Sequence, residues 1–120
     1  MSHSHKTPPP IGWHLLADFH GVPSAQLTDP HRLEALLRQA AKAAGAIVLF
    51  GHFHHFGAGS GVTGVLLLME SHISIHTWPE HGFAAIDIFM CGEAKPDLAL
   101  TMLKNALHPS RSKLSRVRRG

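Results

Sequence analysis

The sequence predicts an α+β fold: a two-layer sandwich, an antiparallel sheet with two helices packed on one face. Three observations predict it. Apolar, β-branched segments bounded by turn residues occur at 46–53, 62–69, 73–77 and 83–90. Two other segments, near 31–44 and 96–107, carry their apolar residues at helical spacing instead. The order strand, helix, strand, hairpin partners, helix fits a sheet built from neighbouring antiparallel strands.

In chain order, residues 1–10, MSHSHKTPPP, are polar and Pro-rich and read as a flexible N-terminal arm. Residues 11–120 form a single domain. Trp13 to Phe19 is apolar enough for a first strand. Gly21 to Pro30 is loop, with Thr28 or Asp29 as the N-cap of the first helix and Pro30 at its first position. Leu33, Leu36, Leu37, Ala40 and Ala44 make the apolar stripe of that helix, and Gly45 ends it. Residues 46–53 are a second strand, and Gly57 to Gly61 a flexible turn. Residues 62–69 are a third strand, so apolar that both of its faces are expected to be covered. A short strand at 73–77, the Trp78-Pro79-Glu80 break and a strand at 83–90 follow. Pro96 opens the second helix, with Leu98, Met102, Leu103 and Ala106 as its expected buried stripe, and Pro109 stops it. Leu114 to Arg118 is a charged edge strand.

The chain has 120 residues, 44% of them hydrophobic and 16% charged, a globular rather than a disordered composition. No apolar run reaches the roughly 20 residues of a membrane span, and the N-terminus has no apolar signal core. A single cysteine forms no internal disulfide, so a free thiol in the cytoplasm is the simplest expectation. Six of the eleven Lys and Arg residues lie from Lys104 onward. They lack interleaved aromatics for stacking on bases, so they read as a solvated end and not as a nucleic-acid surface.

Chemistry concentrates in 66–92, LLLMESHISIHTWPEHGFAAIDIFMCG. It holds an acid–serine junction, Glu70-Ser71, then His76, and finally the lone Cys91. Each has an ordinary reading when taken alone: a strand-end serine, a core histidine, a small buried thiol. Together, near strand ends about 5 Å apart, they are able to share one site. Residues five apart across a tight bend converge, which makes His76 the expected base for Ser71.

ESHISIHTWPE at 70–80 and GFAAIDIFMCG at 82–92 resemble the signature of the prokaryotic S-adenosylmethionine decarboxylase proenzymes, a pyruvoyl-dependent family. Weaker likeness covers GWHLLADFHGV at 12–22, AAKAAGAIV at 40–48, FHHF at 53–56 and GVTG at 61–64. The family has the same two-layer fold, and the resemblance implies a homodimer with sites near the subunit interface.

The resemblance also implies autocatalytic cleavage between residues 70 and 71. Ser71 attacks the Glu70 carbonyl to give an ester. Loss of the serine α-proton then expels the Glu70 carboxylate and leaves dehydroalanine, which hydrolyses to a pyruvoyl group. The matching histidine, His76, assists this maturation, and Thr63 stands where the family has a serine able to steady the oxyanion. The pyruvoyl group then forms a Schiff base with the substrate amine and acts as electron sink for loss of CO2. Cys91 matches the acid that reprotonates the product; a thiol of ordinary pKa about 8.5 carries a proton at neutral pH. Phe56, allowing one inserted residue after it, matches an aromatic that stacks on adenine, and Glu80 a glutamate that binds the ribose. Trp78 reads as packing beside the site.

The implied reaction is decarboxylation of S-adenosylmethionine to the aminopropyl donor for spermidine synthesis. The alternative is an L-ornithine or L-arginine decarboxylase on the same scaffold. Two departures bear on the choice: the loop Gly57 to Ser60 is one residue longer than the family's, and Met90 replaces a common threonine. A free diamino acid would want an added carboxylate, for which Asp87 and Glu93 are the nearby candidates. Asp87 also reads as strand-edge polarity. Phe56 and Glu80 favour the nucleoside. A distant alternative is a metal-binding module: of twelve histidines, His52, His54 and His55 cluster, with His72, His76 and His81 following, and 52 and 54 share a strand face. With no cysteine pair and few nearby acids, no metal is expected.

Overall fold

The computed structural model describes residues 9–120. The expected arm falls mostly in 1–8, outside the described residues. Six strands form one antiparallel sheet: β1 (Gly12–His20), β2 (Val48–His55), β3 (Val62–Leu68), β4 (Ser71–Trp78), β5 (Phe83–Cys91) and β6 (Arg111–Arg119), in the spatial order β2-β3-β4-β5-β1-β6. Helices α1 (Pro30–Ala43) and α2 (Pro96–Leu107) cover one face. No helix among the described residues is long and apolar enough to cross a membrane.

Local chemistry sets the boundaries. Asp29 caps α1, its carboxylate accepting the His31 and Arg32 N–H groups, and Pro30 fills the first position where no N–H partner is needed. Gly45 follows the C-cap in the left-handed region (φ 80°), the usual way to leave a helix. Leu33, Leu37, Ala40 and Ala41 are buried, and Leu36 packs partly against the core. In α2 the buried face is Pro96, Ala99, Leu103 and Leu107. The expected stripe was rotated: Leu98 is 48% exposed, because the helix turns its 99/103/107 edge to the sheet.

Strand alternation then separates two faces. Leu15, Ala17 and Phe19 of β1, Val62, Leu66 and Leu68 of β3, Ile73 and Ile75 of β4, and Ala84, Ile86, Ile88 and Met90 of β5 turn towards the helices and form the core. Met90 is therefore a core residue, 1% exposed. Among the described residues, no element covers the other face. Leu16, Val65, Leu67, Ala85 and Val117 lie on it among histidines and acids. Two expectations are corrected here. Residues 62–69 are not covered on both faces, since Leu67 is 47% exposed. Asp87 is not at an edge: β5 lies between β4 and β1. The sheet edges are β2 and β6, the latter longer than expected and exposed throughout. It is tied to α2 by an ion pair between Arg116 and Asp97.

Candidate active site

The β3–β4 connection is a two-residue turn, Met69-Glu70, and its tightness forces Glu70 into the left-handed region at φ 59°. For a residue with a Cβ this costs roughly 1–2 kcal/mol. Ser71 then starts β4, and Cys91 ends β5. Cys91 Sγ lies 2.9 Å from the Glu70 carbonyl oxygen and 3.9 Å from Ser71 Oγ, while Ser71 Oγ donates to the Met69 carbonyl at 3.4 Å. A thiol in that position is able to donate its proton to the carbonyl of the Glu70–Ser71 peptide. Two cavities adjoin the junction. One of about 650 Å³ is lined by Pro9, Pro10, Ile11, Glu70, Phe89, Cys91 and Gly92. Another, of about 430 Å³, includes Ser71, Cys91 and Glu93.

The remaining candidates gather at the opposite end of β4. His76 Nδ1 is hydrogen-bonded to Thr63 Oγ1 at 3.1 Å, the two residues standing directly opposite in the β3–β4 ladder. With Phe56, Gly61, Thr77, Trp78 and Glu80 they line a cavity of about 340 Å³. Phe56 is 62% exposed, its ring 4.7 Å from that of His54. The Gly57 to Ser60 turn closes by Ser60 N–H to Gly57 O, 2.9 Å.

The expected convergence of His76 on Ser71 does not occur within one chain. No tight bend separates them; both lie on the continuous strand β4, and five extended residues span roughly 17 Å. The structure therefore brings together Glu70, Ser71 and Cys91 at one end, and Phe56, Thr63, His76 and Glu80 at the other.

Between the two groups, on the uncovered face, lies a cluster the sequence reading did not assemble. Asp87 Oδ1 accepts from His14 Nε2 at 2.6 Å and from His72 Nε2 at 2.7 Å, and Ser74 donates to its other oxygen. Burial works to raise the Asp87 pKa, but the hydrogen bonds from Ser74, His14 and His72, with the His72 charge, outweigh it and leave it below 3.8. Asp87 thus serves the sheet's own histidines. The signal was present in the alternation, which puts 72, 74 and 87 on one face, but it required the β5–β1 pairing to add His14.

His14, His72 and Asp87 have the spacing of a three-ligand metal set. The donor chemistry opposes that use. A ligating histidine ordinarily donates its second ring N–H to an acceptor, whereas Arg119 Nη1 donates to His14 Nδ1 at 3.0 Å. The His14 proton is therefore on Nε2, aimed at the carboxylate. His52 and His54, the spacing that suggested a metal module, stand on β2 apart from this group.

Comparison with known proteins decides the family. Residues 13–120 match the family model for S-adenosylmethionine decarboxylase. The chain belongs to the S-adenosylmethionine decarboxylase family. It is 47% identical to the S-adenosylmethionine decarboxylase proenzyme of Sulfurihydrogenibium sp. (strain YO3AOP1) over 102 residues, covering 84% of this chain and 76% of that one. It is 41% identical to the proenzyme of Methanococcus maripaludis over 111 residues, covering 92% and 90%. Among solved structures it resembles the crystal structure of the adenosylmethionine decarboxylase from Aquifex aeolicus VF5, with TM-score 0.88, 37% identity, and coverage of 94% of this chain and 93% of that chain. The S-adenosylmethionine decarboxylase family thus accounts for nearly the whole domain, including both ends of β4 and the strands between them.

Proposed function

We propose that this chain is the proenzyme of a pyruvoyl-dependent decarboxylase of S-adenosylmethionine, cleaving itself between Glu70 and Ser71. One observation carries the reading within this family: the Cys91 thiol donates to the carbonyl of the one Glu-Ser peptide in the chain, held in a strained turn. The thiol draws electron density from the carbonyl that Ser71 Oγ must attack. Breaking the peptide relieves the left-handed Glu70. The pyruvoyl group made from Ser71 supplies the electron sink for loss of CO2. Cys91, beside residue 71, holds the proton that the product carbon takes up.

The second cavity suits the nucleoside. Phe56 offers an exposed ring to the adenine and Glu80 a carboxylate to the ribose hydroxyls. Ornithine and arginine have neither group, and of the two nearby carboxylates Asp87 is already occupied by three donors.

The two halves of the site are roughly 17 Å apart in one chain, so the reading requires a homodimer. Each complete site takes Glu70, Ser71 and Cys91 from one protomer and Phe56, Thr63, His76 and Glu80 from its partner. The uncovered sheet face, with Leu16, Leu67, Trp78 and Val117 at 40–47% exposure, is the surface to pair. The test is CO2 release from S-adenosylmethionine, L-ornithine and L-arginine side by side. Turnover of a basic amino acid with none of S-adenosylmethionine would overturn the substrate.

A further inference from the structure

Thr77 is a buried polar residue, 5% exposed, between His76 and Trp78, which face the other way. Its hydroxyl has one proton and two lone pairs, and both functions are used. Oγ1 donates to the Leu27 carbonyl at 2.7 Å and accepts the Val62 N–H at 2.8 Å. Val62 is the first residue of β3, and Leu27, 0% exposed, closes the turn before α1. The preceding Gly61 lies so close to the Thr77 main chain that a Cβ there would stand 1.9 Å from the Thr77 carbonyl oxygen. The β3–β4 ladder ends at the Thr63–His76 pair, one step before these contacts, and there the 340 Å³ cavity opens.

We propose that Thr77 is a positioning residue for the substrate cavity. Its hydroxyl fixes the approach of β3 to β4 from beneath, and the bare Gly61 lets the strands close to that distance. Together they hold Thr63 against His76. The inference rests on the reading of this cavity as the nucleoside-binding half of the site.

The experiment compares full-length wild type, Thr77→Val, which keeps the shape and removes the hydroxyl, and Thr77→Ser, which keeps the hydroxyl. Ile75→Val, a core change on the same strand, is the control for lost stability. Two measurements are made: the His76 imidazole nitrogen shifts by NMR, and the steady-state kinetics, KM and kcat, for S-adenosylmethionine. Thr77→Val is expected to move the His76 shifts and raise KM about tenfold, a loss typical of slight misplacement. Thr77→Ser should keep the wild-type shifts with KM within about threefold. Ile75→Val should change neither. A Thr77→Val protein with wild-type His76 shifts and KM overturns the proposal, whatever its melting temperature. Should Thr77→Val not fold, Thr77→Ser still decides, since altered His76 shifts with the hydroxyl present are equally fatal. If wild type does not turn over S-adenosylmethionine, the substrate reading fails, while the His76 shifts still judge the role of Thr77.

Discussion

The Cys91 sulfur sits closer to the Glu70 carbonyl oxygen, 2.9 Å, than to the hydroxyl of Ser71, 3.9 Å. The thiol is thus engaged with the peptide itself. Cys91→Ser should keep part of the self-cleavage, because a hydroxyl still donates to the carbonyl. It should lose most turnover, since a hydroxyl is a far weaker acid than a thiol at neutral pH. Mass analysis of cleavage and CO2 release measure the two separately. Wild-type turnover in Cys91→Ser would remove Cys91 from the decarboxylation step.

Intact mass should show two chains, 1–70 and 71–120, the second with a blocked N-terminus. Ser71→Ala has no hydroxyl to attack with and should remain whole and inactive. An active preparation containing one uncut chain would contradict the maturation scheme.

The proposed division of the site between protomers makes an unusual prediction. Ser71→Ala and His76→Ala should each be inactive alone. Co-expressed, the mixed dimer holds one site with both residues intact, Ser71 from the His76→Ala chain and His76 from the Ser71→Ala chain. About half the wild-type activity per mixed dimer should return. No recovery in a verified heterodimer would show that the halves do not meet across the interface.

Phe56→Ala removes a stacking ring, worth about 1–3 kcal/mol in nucleic-acid sites, and Glu80→Gln weakens a charged hydrogen bond worth about 1.5–3 kcal/mol. Each should lower kcat/KM for S-adenosylmethionine by roughly tenfold or more. Cleavage of the 70–71 bond should survive both changes.

Asp87 sets an acid limit to stability. Its folded pKa lies below 3.8, so it contributes stability above the unfolded value and loses it as pH falls through the folded one. Wild type should therefore lose stability below roughly pH 4. Asp87→Asn should be less stable at neutral pH and show a shallower acid limb, read by thermal melts from pH 3 to 7. Parallel melting curves would mean that the three donors give the carboxylate no net advantage.

Much of this was legible in the sequence because local signals and the fold agree. Asp29-Pro30 and Gly45 bound α1, Pro96 opens α2, and the period of two from 71 to 78 makes β4. The candidate residues at the two ends of β4 were named from the motif. Their separation was not foreseen. A spacing of five is compatible with a bend or a strand, and the apolar alternation of Ile73 and Ile75, both 0% exposed, makes it a strand. The Asp87 cluster was hidden for a related reason: His14 joins it through pairing with a strand some seventy residues away in sequence. The alternation 73, 75, 77 put Thr77 on the core face, but its partners, Leu27 O and Val62 N–H, are main-chain groups that no residue type announces.

The strand order decides what the proposed cut between Glu70 and Ser71 would do to the molecule. Residues 1–70 supply β1, β2 and β3, and residues 71–120 supply β4, β5 and β6. In space they interleave, β1 lying between β5 and β6. Three ladders, β3–β4, β5–β1 and β1–β6, join one fragment to the other. The 70–71 bond joins the turn to Ser71, the terminal residue of the β3–β4 ladder, so its loss would break no ladder. Two polypeptides would therefore melt as one body, in a single transition. Once melted, they would have to find each other again by diffusion, so that a protein whose first folding is unimolecular becomes concentration-dependent in every later one.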